Sequence, residues 1–393
     1  MIARFRHWSG KELSSLLWHT IRALALVVYT ALLAEAFVRL SDPQPVMPRY
    51  VTGTAWGVRG NIPNARYWHH TPEVDVEYRV NSQGLRADRE YPTNKPPGVC
   101  RVALFGDSIF FGYEVDLQDS FAGQLENRLK EHGIPAEVLN FAVSGFGTAE
   151  MLQTYESYGR HFDPDVTIFS WSQTDPSDNV RSDLYELKYG QLVRVNAEYL
   201  PSVKFQDMLM RYRLYRLIND NSQFYAFARE SISIALKNRL EFARIASLTS
   251  LGRTGDGPAS VNGDSDILDS WHRIAKDLSS ALVLRAHDVV VADGGDFYLV
   301  EFPERVTRTQ IAPTIDSLST AALSRIKVIS AIADLSDAAR PDLKLFYEKG
   351  EGHLTPIGIR VMVDKTVRVL SASPQLAACA QRSRTVLKTS NVR

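Results

Sequence analysis

The apolar run Val102-Ala103-Leu104-Phe105 stops at Gly106-Asp107-Ser108, and this junction limits the folds open to the chain more than any other segment. A short run of that kind, ended by glycine, reads as a strand buried on both faces, the sort found in a parallel sheet covered by helices. In such open sheets ligands gather outside the carboxyl ends of the strands. A serine placed there is a hydroxyl exposed on a rigid support, as a nucleophile requires. Far downstream, Gly350-Glu351-Gly352-His353-Leu354-Thr355-Pro356 supplies a histidine with an acid beside it, just before a helical pattern. An early serine and a late histidine with a neighbouring acid are the parts of a hydroxyl-nucleophile centre.

The strand begins an alternation of strands and helices. Strands are predicted at 102–105, 136–141, 166–171, 288–292 and 343–347, with a short one near 326–329. Helices are predicted at 120–132, 149–158, 266–286, 317–333 and 356–370, with the short strand near 326–329 as an alternative that would interrupt the fourth. Phe121, Leu125 and Leu129 repeat at helical spacing, and Pro356 suits a first helical turn. The rhythm describes an α/β fold with three α/β/α layers around a parallel sheet. It breaks between 180 and 265, where 205–227 is rich in Tyr, Arg, Met and Leu, 228–246 is amphipathic and 247–266 has a loop composition. We read 180–265 as a helical insertion over the carboxyl end of the sheet, there to cover a substrate, to touch a bilayer or to pack as ordinary helices. Residues 41–97 are proline-rich, with short alternating runs such as 74–80, and read as an extended lead-in with a few edge strands. The tail, 373–393, is polar and expected to be disordered.

At the other end, Arg4, Arg6 and Lys11 precede the largely apolar stretch 13–40. A membrane span needs about 20 apolar residues. Residues 16–38 supply them if Arg22 and Glu35 reach towards the two interfaces. A cleaved signal peptide with Ala34-Glu35-Ala36 as its site, and a buried core helix, are the alternatives. The basic flank favours a cytoplasmic N-terminus. We therefore expect a cytoplasmic tip and a single-pass anchor over 1–40 in an inner membrane, with the rest periplasmic or extracellular.

Lys+Arg and Asp+Glu both number 45, so the formal net charge is zero, which argues against a nucleic-acid partner. Cys100 and Cys379 are too few for a disulfide scaffold or a cysteine-rich zinc site, and both read as structural. In Tyr67-Trp68-His69-His70 the adjacent histidines point different ways on most backbones, so a surface role is expected rather than a metal site. Gly145-Phe146-Gly147 lacks the Lys-Ser/Thr of a phosphate loop. Asp175 and Asp178, on one loop, read as solvated or capping. No metal and no cofactor is expected.

Four blocks stand in order at predicted strand ends: Gly106-Asp107-Ser108, then Asn140-Phe141-Ala142-Val143-Ser144-Gly145-Phe146-Gly147, then Ser172-Gln173-Thr174-Asp175-Pro176-Ser177-Asp178-Asn179, and Glu351-Gly352-His353-Leu354-Thr355-Pro356. With them the chain resembles the SGNH/GDSL hydrolases, in the bacterial branch with an N-terminal membrane segment. The resemblance covers about 98–372, with weaker similarity in Val80-Asn81-Ser82-Gln83-Gly84-Leu85-Arg86. It implies a flavodoxin-like sheet, Ser108 as nucleophile, His353 as base, and the Ser108 and Gly145 amides as oxyanion donors. Two positions depart from the pattern. Thr174 stands where the family has an oxyanion-donating Asn, with Gln173 or Asn179 as substitute donors. Gly350 stands where the family usually has Asp, so Glu351 is expected to orient His353.

The resemblance implies a serine ester hydrolase that removes acyl groups from an acylated carbohydrate or lipid of the cell envelope. The same serine would also serve an O-acetyltransferase acting on a cell-envelope glycan. A protein of another class, keeping the fold for binding or assembly without catalysis, is the remaining reading.

Overall fold

The computed structural model describes residues 10–251, 264–307, 310–340, 342–349 and 352–390. Its centre is a sheet of five strands: β1 (Cys100–Phe105), β2 (Ala136–Asn140), β3 (Val166–Trp171), β4 (Asp296–Glu301) and β5 (Lys327–Ser330). They lie in the order β2-β1-β3-β4-β5, every neighbouring pair parallel. The longer helices are α1 (Gly10–Ser41), α2 (Phe121–Glu131), α3 (Thr148–Ser157), α4 (Asp175–Ser182), α5 (Gln223–Leu251), α6 (Asp264–Ala292), α7 (Pro356–Leu370) and α8 (Pro374–Ser390).

Strand side chains alternate between the two faces, and each face carries its own helices. Val102, Leu104, Val138, Ile168 and Val300 pack with Phe121, Leu125 and Leu129 of α2 and Met362, Val363 and Val367 of α7. Ala103, Phe105, Leu139, Phe169 and Leu299 pack with Leu152 and Tyr155 of α3 and Leu282, Val283 and Ala286 of α6. Each Val, Leu, Ile, Phe or Met among them, buried fully, contributes roughly 1.5–3 kcal/mol. The α/β/α expectation holds, because continuous apolar strands can be shielded only by helices on both sides.

Four predicted elements differ. The helix expected at 317–333 is divided by β5, with a single turn at Thr320–Leu323 before it and Ile332–Ala338 after it. Residues 288–292 are the last turns of α6, not a strand: Val289 and Val290 are buried while Val291 is exposed, a helical spacing, and the strand follows Gly294-Gly295 as β4. Residues 343–347 form no strand; Phe346 makes one isolated bridge to Leu354. The tail expected to be disordered is helical through Ser390, with Leu376, Cys379 and Ala380 buried at helical spacing. Cys379 forms a disulfide with Cys100, Cα–Cα 5.6 Å, which staples the tail to the first residue of β1.

The lead-in contains two hairpins, Val51–Gly53 with Arg59–Asn61 and Arg66–His70 with Asp75–Arg79. The second is not confined to the surface: Tyr67, His69, Val76 and Tyr78 are buried. The insertion begins with the hairpin Tyr185–Lys188/Gln191–Arg194, followed by short helices Val203–Leu209 and Arg213–Asn221 and then α5. Of the loop composition noted at 247–266, residues 252–263 lie outside the described residues. Helix α1 is the one described helix long and apolar enough to cross a membrane, over Ser14–Ser41.

Candidate active site

The strand order 2-1-3-4-5 reverses direction between β1 and β3, so a crevice opens where those two strands end. Ser108 follows β1 and Thr174 follows β3, which brings both to its rim. Ser108 opens a single helical turn, Ser108–Phe111, capped by Asp107, whose carboxylate accepts the Ile109 N–H at 2.9 Å. Gly106 has to be glycine: a Cβ there would lie 2.6 Å from Ser170 Oγ.

The Ser108 hydroxyl donates to His353 Nε2 at 2.8 Å. His353 comes from the loop before α7, where its carbonyl accepts the Tyr347 N–H and Thr355 caps the helix. On the far side of the ring, Nδ1–H donates to Glu114 Oε2 at 3.2 Å, and the same oxygen accepts the His353 backbone N–H at 3.2 Å. The place that sequence reading assigns to Glu351 is thus taken by Glu114; Glu351 itself lies outside the described residues. Sequence distance misled, because Glu114 lies only six positions beyond Ser108 and reaches the histidine across the fold.

Glu114 is fully buried and sits at φ +62°, a left-handed conformation that is costly for a side-chain-bearing residue. Two buried groups hold it there. Arg86 donates to the carbonyls of Phe111 and Val115, both at 2.6 Å, and of Gly112, so one guanidinium wraps the loop around Glu114. The Tyr78 hydroxyl accepts the Glu114 N–H at 2.8 Å and bonds His69 Nδ1 at 2.9 Å. Burial pushes the His69 imidazole down to about 4, so it is neutral near pH 7. His69 is therefore a buried support, while His70 is exposed and meets the surface expectation. The lead-in supplies a further brace in Glu73, which accepts the Glu348 N–H at 2.6 Å near the base of the His353 loop.

On the side of the crevice where oxyanion donors are expected, Gly145 has φ +74°, which only glycine adopts at no steric cost. Its carbonyl accepts from Arg59 Nη2 at 2.6 Å, and Arg59 also reaches the buried Glu150 at 3.2 Å. Glu150 in turn accepts the Gly147 N–H at 3.1 Å, so the loop is clamped from both ends. Among the described residues, the Gly145 and Ser108 amides donate to no backbone carbonyl. Thr174 lines the crevice with Ser108, and its hydroxyl lies 3.1 Å from Ser172 Oγ. It has one proton, to serve either Ser172 or a bound group. Gln173 also lines the crevice, its amide nitrogen donating to Glu304 at 2.8 Å. Asn179 does not reach the crevice: it is fully buried, accepts the Ala149 N–H at 2.9 Å and donates to Ser279 at 3.0 Å. It joins helices α3, α4 and α6 and is no oxyanion donor.

Asp175 and Asp178 are buried rather than solvated. Asp175 accepts from Thr148 Oγ1 at 2.9 Å and Ser172 N at 2.8 Å, and Asp178 pairs with Arg181. Burial, helped by the nearby Asp107 charge, raises Asp175 to about 7. Asp107 is likewise raised by burial.

Two cavities meet at Ser108. The larger, about 890 Å³, is walled by Arg59, Arg181, Gln206, Asn219, Arg229 and Lys237 from the lead-in, α4 and the insertion. The smaller, about 270 Å³, is lined by Phe302, Pro303, Phe346 and Leu354 beside His353.

No protein-family model matches the chain, and no curated protein does. Among solved structures, the chain is similar to the one titled TesA (12% identity, 69% of this chain and 97% of that chain, TM-score 0.36). It is also similar to a lipolytic protein of the G-D-S-L family from Desulfitobacterium hafniense (13%, 69% and 99%, 0.36). A third is a family 3 carbohydrate esterase from Clostridium thermocellum (10%, 72% and 99%, 0.36). Superpositions this loose carry no argument about function, which has to rest on the geometry around Ser108.

Proposed function

We propose that the chain is a membrane-anchored serine ester hydrolase of the SGNH/GDSL type, with Ser108 as nucleophile, His353 as general base and Glu114 as the acid that orients it. The observation that carries this is the unbroken line Ser108 Oγ–His353–Glu114, at 2.8 and 3.2 Å. A hydroxyl becomes a useful nucleophile when a neutral imidazole takes its proton, and a buried carboxylate on Nδ1 selects that tautomer.

In this reading Ser108 Oγ attacks the ester carbonyl carbon while its proton passes to His353 Nε2. The Ser108 and Gly145 amides, with Thr174, donate to the carbonyl oxygen as it gains charge. Collapse breaks the bond to the alcohol oxygen, which takes the proton from His353. Water then attacks the acyl-Ser108 ester, again through His353, and releases the carboxylic acid and free serine. The apolar cavity at Phe302, Phe346 and Leu354 suits the acyl group, and the polar cleft suits a hydroxyl-rich or charged alcohol portion.

The Cys100–Cys379 disulfide supports placement outside the cytoplasm, where such bonds persist, in line with α1 as an anchor and an envelope substrate. The size of the polar cleft leaves room for an acceptor, so transfer of an acetyl group to a glycan hydroxyl is the second reading. Ester turnover by the purified chain, compared with Ser108→Ala, tests the first. Equal turnover by both would refute it. A glycan acceptor that becomes acylated faster than ester is hydrolysed would favour the second.

A further inference from the structure

We propose that the insertion carries a bilayer-docking surface, formed by Arg213–Asn221 and its flanks, that lies in the headgroup region beside α1. The proposal rests on the reading of α1 as a membrane anchor and adds a second, shallow contact.

Three observations lead there. Arg213–Asn221 is amphipathic in a way the fold does not use: Leu214, Leu217 and Ile218, at i, i+3 and i+4, are 69%, 62% and 40% exposed. Phe205 and Met208 of Val203–Leu209, Tyr212 and Phe227, on the neighbouring segments, are exposed apolar residues as well. Second, exposed Arg211, Arg213 and Arg216 flank the stripe. Aromatic and leucine side chains with arginine alongside match a helix lying in an anionic interface.

Third, the surface is continuous with α1. The Glu35 carboxylate accepts the N–H groups of Gln223 and Phe224, at 3.0 and 2.9 Å, and the Ser222 hydroxyl at 2.7 Å, so it caps α5. Arg39 donates to the Asn221 carbonyl at 2.7 Å, which pins the end of Arg213–Asn221. Glu35 and Arg39 lie in the last two turns of α1, where Phe37 and Leu40 are also exposed. Glu35 therefore joins the insertion instead of facing lipid on its own. From Glu35 to Ser41 is about 9 Å along the axis at about 1.5 Å per residue, close to the depth of an interface.

The occupant is lipid rather than a second copy of the chain, because the surface stands beside a helix that is itself apolar over its exposed length. The same short helices turn Gln206, Tyr215 and Asn219 into the large cleft. Docking therefore fixes the cleft against the membrane surface and favours substrates presented there.

The test uses the full chain in vesicles of phosphatidylcholine with and without phosphatidylglycerol. Both native cysteines are in the disulfide, so single introduced cysteines can carry an environment-sensitive fluorophore. Leu217→Cys should be quenched by lipids with a nitroxide near the headgroup, and Leu24→Cys by lipids with a deep nitroxide. His132→Cys, exposed at the end of α2, should respond only to aqueous iodide. Charge reversal of Arg211, Arg213 and Arg216 should lower the Leu217→Cys quenching about twofold or more in vesicles with phosphatidylglycerol. Retention of the disulfide and fluorophosphonate labelling of Ser108 show that each variant is folded. Deep quenching at Leu24→Cys with Leu217→Cys as iodide-accessible as His132→Cys overturns docking and leaves the anchor. A Leu217→Cys label shielded from iodide yet not quenched by lipid overturns it in favour of a protein contact. Absence of quenching at Leu24→Cys overturns the anchor reading itself.

Discussion

Replacing Glu114 by Gln is the sharpest test of the proposed relay. The amide keeps the size of the side chain and one oxygen for the His353 ring, but removes the charge. When Ser108 loses its proton, His353 becomes an imidazolium 3.2 Å from Glu114 Oε2, in a site where Glu114 is wholly buried. At an effective dielectric constant of about 20 and a charge separation of about 3–4 Å, that pairing amounts to about 4–5 kcal/mol. One decade of rate is about 1.36 kcal/mol, so kcat should fall by about 10³–10⁴. The assay is hydrolysis of a chromogenic acetate ester by the wild type, Glu114→Gln and Glu351→Gln, with circular dichroism to confirm folding. Glu114→Gln should lose rate in kcat more than in KM, and Glu351→Gln should lose less than about tenfold. Near-wild-type kcat in Glu114→Gln, or a collapse confined to Glu351→Gln, would refute the assignment.

Four other outcomes are expected. Thr174→Asn should hold or raise kcat, since an amide adds a donor, whereas Thr174→Val should lower it by up to about 3 kcal/mol of transition-state stabilisation. Arg86→Met removes the donors to three carbonyls and should lower both the thermal midpoint and kcat, because the loop bearing Glu114 loses its frame. Reduction of the Cys100–Cys379 disulfide, or Cys379→Ser, should cost about 2–5 kcal/mol in denaturant titrations while leaving Ser108 reactive in the protein that remains folded. Asp175, raised to about 7, holds its proton better folded than unfolded, so its contribution to stability is complete below about pH 4 and is lost as pH climbs through about 7. Asp175→Asn, which can still accept from Ser172 N and donate to Thr148, should flatten that decline in melts taken from pH 4 to 8.

Much of the fold was legible in the chain because it rests on local pattern. Val102–Phe105 is apolar throughout, 166–171 is apolar but for Thr167 and Ser170, and Phe121, Leu125 and Leu129 repeat at helical spacing, so a covered parallel sheet follows from the pattern. Ser108 and His353 were legible because a strand end and a helix start mark the places where side chains can face one crevice. Residues 288–292 were not, since a short apolar run before glycines suits a helix end as well as a strand. The tail misled because average polarity hid the spacing of Leu376, Cys379 and Ala380 on one helical face.

What the sequence by itself determined, then, is the covered parallel sheet and the places of Ser108 and His353 at its carboxyl end. The tertiary structure alone decided the acid. Glu114 is neither beside His353 in the chain nor in a recognisable motif, and it meets His353 where Arg86 and Tyr78, from the segment before the sheet, hold it buried at positive φ. The same holds for Asn179, whose side chain is spent on helix packing, and for Cys100 with Cys379, 279 positions apart. Such pairings depend on which surfaces meet after folding, and local periodicity carries no record of that.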